Sequence, residues 1–128
     1  MHPPTSDYFG HFLAEHMNRP LLDGYTGLDA DFCIHFRDLG EHWNLRLRAG
    51  QIVGVAPDSA PRGAVCFEVD QPVFWEIVGG QASPQAAFFA RRTEIRGDLF
   101  LGMKLARILG LFFERFPCKD GIRDGRER

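Results

Sequence analysis

The sequence predicts an α+β domain in which a five-stranded, mainly antiparallel sheet carries helices on one apolar face. Three observations predict it. Apolar and polar residues alternate from Phe32 to Val69, apolar residues return to helical spacing from Val73 to Val78, and residues 99–116 are apolar over most of their circumference. A chain of 128 residues fits one domain with one core.

Phe9, Phe12, Leu13 and His16 fall at helical spacing behind Thr5, Ser6 and Asp7, all competent N-caps, which predicts a short helix over 8–17. Asn18-Arg19-Pro20 ends it, and the chain to Asp31 shows no period. Phe32, Ile34 and Phe36 then alternate with Cys33, His35 and Arg37. After a turn at 38–41, Trp43, Leu45 and Leu47 alternate with Asn44, Arg46 and Arg48. Ile52-Val53-Gly54-Val55 is a third strand, and Val65, Phe67 and Val69, alternating with Cys66 and Glu68, are a fourth. The simplest arrangement is a four-stranded antiparallel meander with Cys33 and His35 on its wet face.

Asp70 is read as the cap of a helix with Pro72 in its first turn, carrying Val73, Phe74, Trp75, Ile77 and Val78 and stopped by Gly79-Gly80. Ser83-Pro84 starts another over 85–91, residues 92–96 alternate as a fifth strand, and Gly97-Asp98 turns and caps the final helix over 99–116. The expected organisation is a helix and irregular lead-in over 1–27, the main domain over 28–116, and a charged, disordered tail over 117–128.

A formal net charge of -2 argues against a nucleic-acid partner. Residues 91–128 nevertheless carry ten basic groups against six acidic ones, an excess suited to weak contact with an anionic membrane or an acidic partner. Cys33, Cys66 and Cys118 are odd in number and widely spaced, which fits a reducing compartment. The first residues lack the basic start and apolar run of a signal peptide, and the expected setting is cytoplasmic, at most peripheral to a membrane.

Catalytic and metal-binding patterns are sparse. His2, His11, His16, His35 and His42 match no metal motif, and Cys33 with His35 makes only two neighbours where a metal site needs three or four ligands. Ser59 and Ser83 lie in Pro-containing turns, and neither sits in a nucleophile motif. Asp70 and Asp98 are explained as helix caps. Glu76, between Trp75 and Ile77, either points to water or meets a polar headgroup. No phosphate-binding glycine pattern is present, and Arg91-Arg92 beside Phe88-Phe89 is too small a patch to argue for nucleic acid. The expectation is a protein that is not an enzyme and holds no metal or cofactor.

The last helix is the unusual element. Twelve of its 18 residues are apolar, whereas covering one sheet face requires an arc of little over about 100°. Six of the twelve phenylalanines fall within residues 88–116. The surplus is explained by overlap with the other helices, by a homodimer interface, or by the wall of a lipid-sized pocket.

The segments 32–38, 43–50 and 88–102, the last containing Phe88-Phe89-Ala90-Arg91-Arg92 and ending in a strand with Gly97-Asp98 before the final helix, resemble the sterol carrier protein type 2 lipid-binding domain. The resemblance covers about residues 28–116, and the Phe-Phe-x-Arg-Arg run is similar to the small bacterial branch of accessory lipid carriers linked to ubiquinone biosynthesis. It implies a hydrophobic tunnel between sheet and helices that carries a lipid or isoprenoid, a quinone precursor, sterol or fatty acyl chain, without a catalytic group. Gly97 and Asp98 transfer as a structural turn and cap. The short lead-in and the charged tail depart from that branch.

The walls expected on this basis are Val65, Phe67 and Val69 of the fourth strand; Phe74, Trp75 and Val78; Phe88 and Phe89; and Leu101, Met103, Leu105, Ile108, Leu109, Phe112 and Phe113 of the last helix. The alternative is an interaction or dimerisation module in which Phe112, Phe113 and Phe116 contact a second subunit or a biosynthetic enzyme complex. An enzyme acting on a lipid would need Glu76 or His35 to face the cavity.

Overall fold

Pro57 has no backbone N–H to give a neighbouring strand, and Gly54 offers no side chain to pack, so the third strand suits an edge. The computed structural model, which describes residues 4–17, 28–58 and 63–118, places it there. Five strands, β1 (Ala30–Phe36), β2 (Glu41–Arg48), β3 (Gln51–Asp58), β4 (Val65–Val69) and β5 (Glu94–Gly97), form one sheet in the order β3-β2-β1-β4-β5. Four helical elements accompany them: α1 over residues 5–15, α2 (Gln71–Val78), α3 (Pro84–Phe89) and α4 (Leu99–Arg115).

The α+β class and the five mainly antiparallel strands agree with the sequence; the simple meander does not. β1 pairs antiparallel with β2 but parallel with β4, in register Ile34 to Phe67 and Phe36 to Val69. Alternation reports the two faces of a strand and not its neighbours. The central place of β1 is marked instead by Phe32, Cys33, Ile34 and Phe36, all buried, the near-continuous run of a strand with partners on both edges. Cys33 is therefore 0 % exposed rather than wet, although it lies on the helix-free face, because a small side chain between its cross-strand partners Asn44 and Cys66 is sheltered by longer neighbours.

The helix boundaries shift for local reasons. In α1 the α-helical pieces Thr5–Asp7 and Leu13–Glu15 flank a wider π-type stretch, Tyr8–Phe12, and Tyr8, Phe9 and Leu13 are buried. Phe9 stacks on Trp43 at 4.7 Å between ring centroids, and Tyr8 meets Trp75 edge to face at 6.1 Å, so this helix closes the β2 side of the core. Asp70 stands at the N-cap of α2, as expected, but its side chain makes no cap hydrogen bond. Its carboxylate pairs with Arg37 Nε at 3.2 Å, and the Gln71 N–H donates instead to Asp38, at 3.1 Å to Oδ2. Ser83 and Asp98 do act as caps, their oxygens accepting from Ala86 N at 3.0 Å and Leu101 N at 3.1 Å. α3 stops at Phe89, short of residue 91, because Arg91 adopts φ 63, and β5 starts at Glu94. Cys118, assigned to the tail from sequence, is 2 % exposed, and its N–H donates to the Val78 carbonyl at 2.7 Å. The disorder expected beyond it falls on 119–128, outside the described residues, as do Ser59 and the irregular lead-in over 18–27.

Two close approaches set the position of α4. Gly97 has φ 98, and a Cβ there would stand 2.1 Å from the Ala64 carbonyl oxygen, so only glycine lets β5 turn against β4. At Gly102 a Cβ would stand 2.4 Å from Ile95 Cγ2, so its absence seats the helix directly on β5.

Candidate functional site

Between the helices and the β1-β4-β5 half of the sheet lies a cavity of about 50 Å³. Ile34, Phe67, Val69, Thr93 and Ile95 form its floor, Phe74 and Ile77 of α2 one wall, Pro84 and Phe88 of α3 a second, and Ala106, Leu109 and Phe113 of α4 the roof. Thr93 brings a hydroxyl; every other side chain in the lining is apolar, and none titrates. Such a space cannot hold a polar molecule without leaving its hydrogen bonds unmade, and it rewards any methylene that enters by about 0.8 kcal/mol.

Of the wall residues expected from sequence, Phe67, Val69, Phe74, Phe88, Leu109 and Phe113 line the cavity. Trp75 turns from it toward Tyr8, and Val78, fully buried, accepts the Cys118 N–H at its carbonyl. Val65 packs beneath Gly102, while Leu105, Ile108 and Phe112 are buried in the core away from the lining. Leu101 and Met103 are half-buried outside the lining, and Phe89 is 71 % exposed. Ile34, Ile77, Pro84, Thr93, Ile95 and Ala106 were not expected there. Ile34 and Ile95 carried a signal, since both sit in phase with their strands' apolar faces. Ala106 carried another: a small residue amid bulky ones on a packed helix leaves a gap.

The groups with catalytic potential lie elsewhere. Glu76 pairs with Arg92 at 2.9 Å outside the cavity. His35 stands on the opposite face of the sheet, with Nδ1 3.0 Å from Glu68 Oε1, and its ring stacks on His42 at 4.2 Å. Arg96 Nε, 3.1 Å from Glu68 Oε2, completes a charged row over that face. Neither Glu76 nor His35 presents a base to the cavity, which removes the observation a lipid-modifying enzyme required. Among the described residues no three His, Cys, Asp or Glu side chains are grouped to hold a metal ion.

The Cys66 thiol is pushed up by its hydrogen bond with Cys33 and by burial. The Tyr8 phenol is likewise held well above its usual range, by burial first and then by the neighbouring Cys118. Both groups are structural, and neither lines the cavity.

The same architecture recurs in solved structures. A crystal structure of sterol carrier protein 2 superposes with a TM-score of 0.66 at 12% identity, over 84% of this chain and 93% of that one. A protein described as UbiJ-SCP2 ubiquinone synthesis protein gives 0.61 at 12% identity, over 87% and 93%. The stereoselective inverting sec-alkylsulfatase Pisa1 from Pseudomonas sp. gives 0.64 at 24% identity over 85% of this chain, which spans only 16% of that enzyme. At such identities these likenesses establish the fold. Residues 13–110 match the SCP-2 sterol transfer family as a sequence family, and the match includes α2, α3, β5 and all the cavity-lining residues except Phe113. The chain belongs to the SCP-2 sterol transfer family.

Proposed function

We propose that the protein binds and carries a lipid or isoprenoid chain in the cavity beneath α3 and α4 and performs no chemistry on it. The observation that carries this reading is the apolar, non-titrating lining between sheet and helices. At about 50 Å³ the cavity is smaller than a cavity of roughly 150 Å³ that takes up benzene, so loading of a lipid chain requires α3 and α4 to part from the sheet. Burial of a chain then offsets the cost of opening, and micromolar affinity needs no polar contact. An isoprenoid quinone precursor is favoured as cargo by the neighbour named for ubiquinone synthesis, where such a carrier would serve a biosynthetic complex.

In the alternative, a contact with a second subunit or an enzyme complex through Phe112, Phe113 and Phe116, the first two are 1 % and 6 % exposed within the single chain and Phe116 is half-buried, so Phe116 alone of the three offers surface to a partner. No helix among the described residues is long and apolar enough to cross a membrane.

Native mass spectrometry of the purified protein, paired with organic extraction, tests the proposal. A co-purifying lipid, or saturable binding of a fluorescent fatty acid or quinone, is the expected result. A protein that is empty and also ignores both probes would overturn it.

A further inference from the structure

Among the described residues four large apolar side chains are exposed, Leu39, Phe89, Leu99 and Phe100, and the last two are consecutive in the first turn of α4. Leu99 is 53 % and Phe100 90 % exposed. This turn is not a frayed end. Asp98 Oδ1 accepts from Leu101 N at 3.1 Å, the Gly102 N–H donates to the Asp98 carbonyl at 2.8 Å, and Gly102 seats the helix on β5. Leu105, Ala106, Ile108 and Leu109 take the inward side of the same helix, so Phe100 is held rigidly outward. An aromatic ring kept in water in this way costs free energy that a partner recovers.

The residues around it favour one kind of partner. At helical spacing Phe100, Lys104, Arg107 and Leu111 form one outward stripe, with Lys104 and Arg107 exposed and Leu111 half-buried. Of the acids that flank the turn in sequence, Asp98 gives its carboxylate to the helix N-terminus and Glu94 lies 3.7 Å from Arg96. Glu114, the next acid along α4, follows about 15 Å beyond Lys104 on the helix axis. An aromatic tip with cations behind it on one face suits a helix resting in a bilayer interface, the ring at the boundary of headgroups and chains and the cations at the phosphates. A protein partner would need a preformed socket for so prominent a ring, whereas a bilayer opens one wherever it is met.

We propose that the start of α4, led by Phe100 with Lys104 and Arg107 behind it, docks this protein on an anionic lipid surface. Phe100, backed by Leu99, enters the boundary layer, and Lys104 and Arg107 lie against the headgroups. The helix that touches the bilayer is then also the roof of the inner cavity, which Ala106, Leu109 and Phe113 line from its opposite side. The proposal does not depend on what the cavity holds: a chain that carries nothing would dock by the same turn.

Co-sedimentation of the full chain with vesicles of phosphatidylcholine alone, and of phosphatidylcholine mixed with phosphatidylglycerol, tests this. The wild type is expected to bind the anionic vesicles about tenfold or more tightly than the neutral ones, with the difference shrinking in high salt. Phe100→Ser should weaken anionic binding about fivefold or more, and Lys104→Gln combined with Arg107→Gln should abolish the preference for anionic vesicles. These side chains are exposed, so circular dichroism and thermal unfolding should show each variant folded as the wild type is. Leu39→Ser, which removes an exposed apolar side chain in the turn between β1 and β2, should bind as the wild type does. Phe100→Trp should keep binding, and its emission should shift to the blue with anionic vesicles and be quenched by brominated lipid. Equal binding to both vesicles, anionic binding unchanged in Phe100→Ser, or no blue shift in Phe100→Trp would overturn the proposal. Self-association of the wild type that Phe100→Ser removes, without vesicle binding, would also overturn it and assign the turn to a second copy of the chain. Vesicle docking and uptake of a fluorescent lipid into the cavity are read separately, so failure of one is distinct from failure of the other.

Discussion

The Tyr8 hydroxyl is buried with no hydrogen-bond partner among the described residues, while its ring contacts Phe9, Phe74 and Trp75. The ring is what the core uses, and the hydroxyl costs desolvation. Tyr8→Phe is therefore expected to stabilise the fold by about 1 kcal/mol, measured by urea unfolding. The same substitution has a pH signature. Because burial raises the folded phenol above its unfolded value of 10.0, stability is fully present below pH 10 and falls as pH rises further, when the unfolded state alone sheds the proton. Above that pH the wild type should lose stability faster than Tyr8→Phe. Burial also shields the thiols. Cys33, Cys66 and Cys118 are 0 %, 8 % and 2 % exposed, so at pH 8 a disulfide reagent should leave the native protein unmodified over minutes and titrate three thiols once it is denatured.

At the scale of elements, α4 is fixed by what it lacks. Gly102→Ala improves helix propensity by up to about 1 kcal/mol, yet its methyl would stand 2.4 Å from Cγ2 of Ile95, a β-branched side chain stiff at χ1. The clash should win, and thermal unfolding should show a net loss of about 1–2 kcal/mol. The elements themselves were legible because their periods are clean: Trp43, Leu45 and Leu47 could not sit on one side of anything but a strand. Phe74 and Leu109 were legible as wall residues for the same reason. Trp75 was not, since α2 buries two faces, one on the cavity and one on α1, and spacing does not say which is which. The bonding of the Asp70 side chain was equally out of reach, because it depended on Arg37 and Asp38 arriving from elsewhere in the chain. The parallel pairing of β1 with β4 is a fact about neighbours, and in hindsight Pro57 bore on it by making β3 an edge.

For the molecule as a whole, the surplus of apolar residues on the last helix is absorbed in its own core only in part: Leu105, Ala106, Ile108, Leu109, Phe112 and Phe113 are buried, Leu99 and Phe100 are 53 % and 90 % exposed, and a small gap lies beside Ala106. Filling that gap separates carriage from mere packing. Ala106→Val adds two methyl groups to a space of about 50 Å³, so the fold should keep its stability or gain up to about 1 kcal/mol, while affinity for a fluorescent fatty acid falls about tenfold or more. Equal binding by the variant and the wild type would mean that the chain lodges elsewhere.

An unfilled space of that size also makes the protein sensitive to a variable that heat and urea do not probe. Eliminating about 50 Å³ of void on unfolding corresponds to roughly 30 mL/mol, within the range over which hydrostatic pressure unfolds proteins. A bound tail that occupies the void in the native state should remove part of that volume change. High-pressure fluorescence of the empty and lipid-loaded protein should then give different unfolding volumes, with the loaded form the more resistant to compression.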